Sequence, residues 1–532
     1  MTITDPLNQQ LVPASEDRVA RSLALRTQIT GADSFVASPN QIDNGDEALY
    51  ADKSGTYSKG VLQEGIGLVD LAAYSSFKHA LSSGAPEDFD KIVLGGPRTL
   101  NGPQGGLAFY LDCEDASQFA VPPAPALASE AYATELVELY WASLLRDVAF
   151  TDYPSNPTVA KAAAELSAMP SYAGPRDSSG QVTPQLLFRG VFAGDTTGPY
   201  MSQFLLQPTA LGSLPIVQKY QTNKASTGPT SGADFMLSPS EFLQVQNGQP
   251  TGKSLTNLPQ PRYLHDGRGL AAYTHGDVLY QAYFIAYLVL STINNGGSVP
   301  LNPGNPYVGN TTQNGFATFG PPDIAATLAA VANEALKAVW YQKWWVHLRH
   351  RPESGGAIVH LQKTGQGGSI QGHVSDTVLN SQAVASSFAA NNSYFLSQAF
   401  PEGSPTHPAY PTGHGTVAGA CITVLKFFFD GGATITNPVV PASDGKSTTA
   451  YVPPPGEAAL TVNGELHKLA NNISFGHGIH AGIHWRSDTE ESIRFGEAVA
   501  LSYLRDRAHT YNEPFSISLT KVDGSTATIS NQ

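Results

Sequence analysis

Apolar residues recur at helical spacing in several separate blocks of the chain, while the alternation of a half-buried strand is scarce. From Gly67 to Ser83, the positions Leu68, Leu71, Ala72, Phe77 and Leu81 predict a first modest helix. Between Ser129 and Val148, Leu136, Val137, Tyr140, Leu144 and Val148 share a face, with Ser129 as N-cap. Shorter helices are predicted at Ala160 to Ala168 and Glu241 to Gln246. Gly269 to Ile293 carries an almost continuous apolar pattern, including Val278, Tyr280, Phe284 and Leu288. Its neighbour runs from Asp323, an N-cap after Pro321-Pro322, to about His347, with Ile324, Leu328, Val331, Leu336 and Val339 facing inward. Asp376 to Phe400 is helical in parts. Thr416 to Phe429 is a long apolar run. A last helix spans Asp488 to about Arg507, with Asp488 and Glu491 as a capping-box pair and Ile493, Ala498, Leu501 and Leu504 as its core face.

Between these blocks lie Gly- and Pro-rich loops, chiefly 170–261 and 294–320, and an extended or strand-like segment from Leu107 to Cys113. The pattern predicts a mainly α fold of helix bundles around one large core, with long loops and little strand. It divides into a polar N-terminal arm (1–60, with one short helix near Glu16 to Leu25), a helical N-terminal half (61–320) and a second helical half (321–532), together one compact unit.

Composition narrows the function classes. With 41% hydrophobic and 14% charged residues, the 532-residue chain is not globally disordered. Its net charge of −14, without a concentrated Lys/Arg run, argues against general nucleic-acid binding or anchoring on an anionic membrane. Cys113 and Cys421 are too few for a disulfide scaffold, and Cys421 reads as a buried free thiol. Met1 to Asp17 lacks the apolar core of a secretory signal, and no stretch reaches the roughly 18 consecutive apolar residues of a membrane span. The expectation is a cytoplasmic protein.

Three segments carry chemistry. In Glu402 to Thr416, Pro405, Pro408 and Pro411 stiffen a loop that enters a helix at Thr412-Gly413-His414, bringing His407 and His414 to a helix N-terminus. Free N–H groups and the helix dipole favour an anion there, although the stretch alone also suits an ordinary loop-to-helix junction. Lys343 and Arg351, eight apart near a helix end, are able to converge on one anion; in isolation such a cluster reads as a solvated basic face. In Phe475 to Asp488, His477, His480 and His484 are spaced by three and four, an arrangement that suits a metal or an anion.

Together these segments resemble a known family. Lys343 with Arg351-Pro352, Pro411-Thr-Gly-His414 and His484-x-x-x-Asp488 are similar to the three signature blocks of the vanadium-dependent haloperoxidases, which share a fold with type 2 phosphatidic acid phosphatases. Glu402 to His407, Leu139-Tyr-Trp to Thr151-Asp-Tyr, Gly198-Pro-Tyr and Asp277-Val-Leu-Tyr-Gln-Ala-Tyr also resemble bacterial members, so the likeness spans most of the chain. The resemblance implies a vanadate cofactor with His484 as the axial metal ligand, supported by Asp488. Lys343, Arg351, Thr412 and Gly413 would hold the oxyanion, His414 would be the general acid/base, and His407 would tune the site or the halide region. Lys343 would also polarise bound peroxide. The implied reaction is oxidation of bromide or iodide by hydrogen peroxide to hypohalous acid through a peroxovanadate intermediate, with a small organic substrate and a homo-oligomer, dimer or larger, as further partners.

The chain departs from that pattern twice. Thr412 replaces a serine, keeping the hydroxyl. Gly478 stands where the family has a second arginine, six residues before His484. His477, if one residue is inserted, or His480, one turn before His484, is then the nearest substitute. Two other readings stand beside the peroxidase: a phosphatase-like hydrolase with His484 as nucleophile and His414 as acid, and a divergent homologue binding a divalent transition metal through His477, His480 and His484.

Overall fold

The computed structural model describes residues 15–228, 231–292 and 299–532. Residues 1–14 of the expected arm, Ile293 and residues 294–298 of the following loop lie outside them. The arm contains a longer helix than predicted, Ser15–Ser34, with Val19, Leu23 and Phe35 exposed along or just beyond it.

The organising element is the Gly413–Phe428 helix, buried along its whole length. It packs against Arg486–Ala508, Pro321–Tyr341 and Val462–Phe475, so the bundle forms around an apolar helix with no solvent face. Its contact with Arg486–Ala508 is made by glycine. A Cβ on Gly419 would collide with the Ile493 carbonyl oxygen, and one on Gly496 with that of Thr416, so these helices touch backbone to backbone. The Glu130–Leu145 helix, capped by Ser129 as its sequence predicts, joins the same core through Leu136, Val137 and Tyr140. Strand is confined, among the described residues, to four two-stranded antiparallel pairs, the longest being Ser516–Thr520 with Thr526–Ser530. Among those residues no helix is long and apolar enough to cross a membrane. Both cysteines are buried free thiols.

Four local readings are corrected. The apolar run from Gly269 is not one helix: Gly267–His275 stops at Gly276, and Gln281–Leu290 begins after Tyr280. Asp323 is not an N-cap. Gly320 holds that place, and the Asp323 carboxylate accepts from Phe319 N behind it and from Arg507 and Tyr511. Asp488 pairs with Trp485 rather than Glu491, its Oδ2 accepting from the Trp485 N–H at 3.1 Å. Leu107–Cys113 forms no strand, and Pro103–Leu107 is a short 3₁₀ turn.

Two helix ends widen into π-turns, Gln342–His347 at the end of the Pro321 helix and Gly476–His480 at the end of the Val462 helix. Each is followed by a residue in the left-handed region, Leu348 at φ 43° and Gly482 at φ 82°. That geometry turns the chain off the helix axis and sends Arg349–Arg351 and Ile483–His484 back toward the start of the Gly413 helix.

Candidate active site

Thr412 is the N-cap of the Gly413 helix, yet its side chain makes no capping bond: its buried Oγ1 has no partner among the described residues. An N-cap hydroxyl normally accepts from the first helical turn, so one withheld from that role is available to something else. The backbone N–H groups at this helix start point the same way.

Two buried cations stand beside it. Lys343 is fully buried in the first π-turn, and its Nζ donates to the carbonyl oxygens of Pro408 (2.9 Å) and Ala409 (2.8 Å), with the Trp340 ring 5.9 Å away. Arg351 Nε donates to His407 O (2.8 Å). Its Nη1 donates to Ile483 O (2.9 Å) and His484 Nε2 (2.8 Å), and its Nη2 contacts His407 Nδ1 at 3.0 Å. Among the described residues no carboxylate lies within ion-pairing distance of either cation. Burial, and then Arg351, push the Lys343 ammonium well below its ordinary range; burial holds Arg351 down to about 10.

Because a guanidinium only donates, His484 Nε2 must accept, and its proton sits on Nδ1, which donates to Asp488 Oδ2 at 2.9 Å. This leaves the Nε2 lone pair facing the cluster. Asp488 is fixed in turn by Arg349, whose Nη1 donates to Oδ1 at 2.6 Å while Nη2 reaches Glu135 at 2.8 Å and the guanidinium lies over Trp485. Such a carboxylate sets the tautomer and orientation of a metal-binding imidazole.

His414 Nε2 is 2.8 Å from Asp277 Oδ1. Asp277 lies in the break between Gly267–His275 and Gln281–Leu290, so the missed helix interruption is what delivers this carboxylate. The His414 ring stacks on His477 at 3.7 Å, and His477 lies 5.6 Å from His484. His407 packs on Trp340 at 4.8 Å.

The structure thus brings together Lys343, Arg351, His407, Thr412, Gly413, His414, His477 and His484. It does not bring His480: that imidazole accepts or donates at Tyr200 Oη (2.9 Å) and sits among Phe150, Phe188 and Tyr200, where burial lowers its pKa to about 3. The reading of His480 as a cofactor ligand is therefore corrected, because the π-turn and Gly482 carry it to the other side of the segment. The three-histidine metal site fails with it: among the described residues no group of three or more His, Cys, Asp or Glu side chains is placed to hold a metal ion. Sequence reasoning missed Arg349 and Glu135, and named Asp277 only within a similar segment. Arg349 had a signal, two residues before Arg351 in the same basic cluster; nothing in the apolar context of Glu135 marks it.

A helix-bundle scaffold holding buried cations, an unpartnered hydroxyl and two carboxylate-oriented histidines around a helix start defines a protein built to bind an oxyanion and move protons beside it. Residues 323–513 match the family model described as the VCPO second helical-bundle domain. The chain is 31% identical to the vanadium-dependent bromoperoxidase of Corallina pilulifera, covering 91% of this chain and 94% of that protein. It is 30% identical to the enzyme of the same name from Corallina officinalis, covering 97% and 100%. It superposes with a TM-score of 0.88, at 26% identity and 99% and 96% coverage, on the homohexameric second vanadate-dependent bromoperoxidase of Ascophyllum nodosum. The chain belongs to the vanadium-dependent haloperoxidase family.

Proposed function

We propose that this protein is a vanadate-dependent haloperoxidase that oxidises bromide or iodide with hydrogen peroxide, yielding hypohalous acid and water and consuming one proton. The observation that carries the reading is the pair of buried cations, Lys343 and Arg351, with no carboxylate partner among the described residues, next to the Thr412 hydroxyl, unpartnered among the same residues. An uncompensated buried charge is costly, so such a pair calls for an anion.

The donor set fits vanadate. His484 Nε2 would supply the nitrogen ligand once Arg351 Nη1, which donates to it here, turns to an oxygen of the anion; Lys343, Arg351, Thr412 Oγ1 and the Gly413 N–H would hold its oxygens. Bound there, vanadate supplies a Lewis acid that activates peroxide without changing oxidation state. The protein's own groups do the rest. Asp488 and Arg349 keep the proton on His484 Nδ1, so that Nε2 stays a ligand rather than a base. Asp277 holds His414 through Nε2, leaving Nδ1 to take a proton from incoming peroxide and return it to the leaving oxygen. General acid–base catalysis of this kind is worth about 10²–10⁴ in rate. Lys343, held by two carbonyls, is oriented to stabilise negative charge developing on a peroxide oxygen. His407, bonded to Arg351 and packed on Trp340, sets the polarity of the halide approach.

The hypohalous acid would pass a halogen to a small organic acceptor. Assembly into a homo-oligomer is supported by the hexameric relative and by the exposed apolar residues of the Ser15–Ser34 helix. Bromination of a phenol by the purified protein, with peroxide and bromide and with or without added orthovanadate, tests the reading. Activity that rises with vanadate is expected; full activity in vanadium-free protein, or copper or zinc bound at one equivalent, overturns it.

A further inference from the structure

Gly478 stands at the spacing from His484 where the family carries its second arginine, and a side chain added there would be tightly placed. A Cβ on Gly478 would lie 3.0 Å from the His484 Cβ and 3.4 Å from Thr489 Oγ1. The segment around it is the π-turn Gly476–His480, in which one more residue occupies the turn than in an α-helix. The register before the turn is therefore displaced by one residue, and the side chain brought to the cluster is that of His477. It is buried, stacked on His414 at 3.7 Å and 5.6 Å from His484, and hydrogen-bonded to the Thr274 backbone, while its Nδ1 has no hydrogen-bond partner among the described residues. His480, the other substitute, is engaged elsewhere by Tyr200.

Resting on the vanadate reading above, we infer that His477, carried into the site by the π-turn, is a direct hydrogen-bonding partner of the bound oxyanion through Nδ1. With the ring N–H given to the Thr274 backbone, the neutral imidazole offers Nδ1 as an acceptor to a hydroxyl of the protonated oxyanion, so this contact does not require the fixed charge of a guanidinium. It gives the oxyanion a fourth side-chain partner beside Lys343, Arg351 and Thr412, in a register that spacing alone does not reveal.

The test is binding of orthovanadate alone to the metal-free full chain, by equilibrium dialysis with vanadium quantified in each compartment and by the chemical shift of bound vanadium-51. His477→Phe keeps a ring against His414 but removes the nitrogen, and is expected to weaken binding about tenfold; His477→Gln, which keeps a polar partner, is expected to stay within about threefold of the parent. The melting temperature of each metal-free variant reports whether it is folded. Should folded His477→Phe bind vanadate as tightly as the parent, with an unchanged vanadium-51 shift, His477 is only a stacking partner and the inference falls. If His477→Phe does not fold, the decision rests on His477→Gln, where a changed vanadium-51 shift at near-parental affinity supports the contact and an unchanged shift overturns it. A folded parent chain that binds no vanadate would overturn the vanadate reading and this inference together.

Discussion

The Lys343 turn and the His477 turn are built alike and filled differently. Both widen the last turn of a long helix into π geometry and end in a left-handed residue, and both then send a site residue back toward the Gly413 helix start. The first delivers a fixed charge and accepts strain to do so, because Leu348, a non-glycine residue at φ 43°, costs about 1–2 kcal/mol. The second delivers an imidazole and ends in Gly482, where the same conformation is unstrained. Each also buries a histidine that takes no part in the cluster: His347, whose ring nitrogens have no partner among the described residues, and His480. Wide turns at helix ends thus serve here as positioning devices, and the residue placed on each sets how strongly it grips an anion.

The comparison breaks most severely if the segment after the second turn is disarmed. His484→Ala is expected to abolish vanadate binding, at least a thousandfold in affinity, measured by dialysis; retained binding would remove His484 as the ligand. On the first turn, Lys343→Met should weaken vanadate binding about a hundredfold, since a charge-assisted contact is worth up to about 3 kcal/mol. A loss no larger than that of His477→Phe would show that the turns are equivalent after all.

Acid compares the two silent histidines. Burial holds His347 and His480 down to about 3, against about 6.5 in an unfolded chain. As pH falls from 6.5 toward 3, the unfolded chain takes up a proton at each site that the folded chain refuses. Stability is therefore present above pH 6.5 and lost as pH drops through the window. At pH 5 each histidine is expected to cost about 2 kcal/mol relative to pH 7. Urea midpoints at the two pH values check the slope, and His347→Phe or His480→Phe should each flatten it by about half of their joint share.

Register gives a smaller effect: Gly478→Ala should lower stability by about 1–2 kcal/mol through the His484 Cβ contact, visible as a lower melting temperature, and Gly365→Ala, at an exposed loop glycine with φ 72°, should lower it by about as much through backbone strain alone. The smallest effect is expected at Asp277→Asn, about a tenfold fall in kcat with vanadate affinity nearly unchanged, because it removes the orienting charge on His414 and no oxyanion contact.

Much of the site was legible in the sequence because its chemistry is carried by residue types that are rare in a core. Lys343, Arg351, His414 and His484 announce themselves by being charged or titratable beside apolar helices. The helices were equally legible from their periodicity. The π-turns were not, because an i→i+5 hydrogen bond leaves no composition signature; this is why three histidines at helical spacing suggested one face, while the structure separates His480 from His477. Asp277 was hidden by Val278, Tyr280 and Phe284, whose apolar continuity masked the break at Gly276. Arg349 and Arg351 look interchangeable in sequence. Only the extended backbone after Leu348 assigns one to Asp488 and Glu135 and the other to His484.

The glycine contact between Gly413–Phe428 and Arg486–Ala508 has a bearing on how this protein tolerates change. Gly419 against Ile493 O and Gly496 against Thr416 O set the separation of the helices that start at Thr412 and just after His484, and they set it by atomic radii alone. With no side chain in the joint there is no rotamer to absorb an added methyl group, so a substitution there is relayed as a rigid displacement to both walls of the site. Laboratory evolution of substrate range should therefore leave this glycine seam invariant.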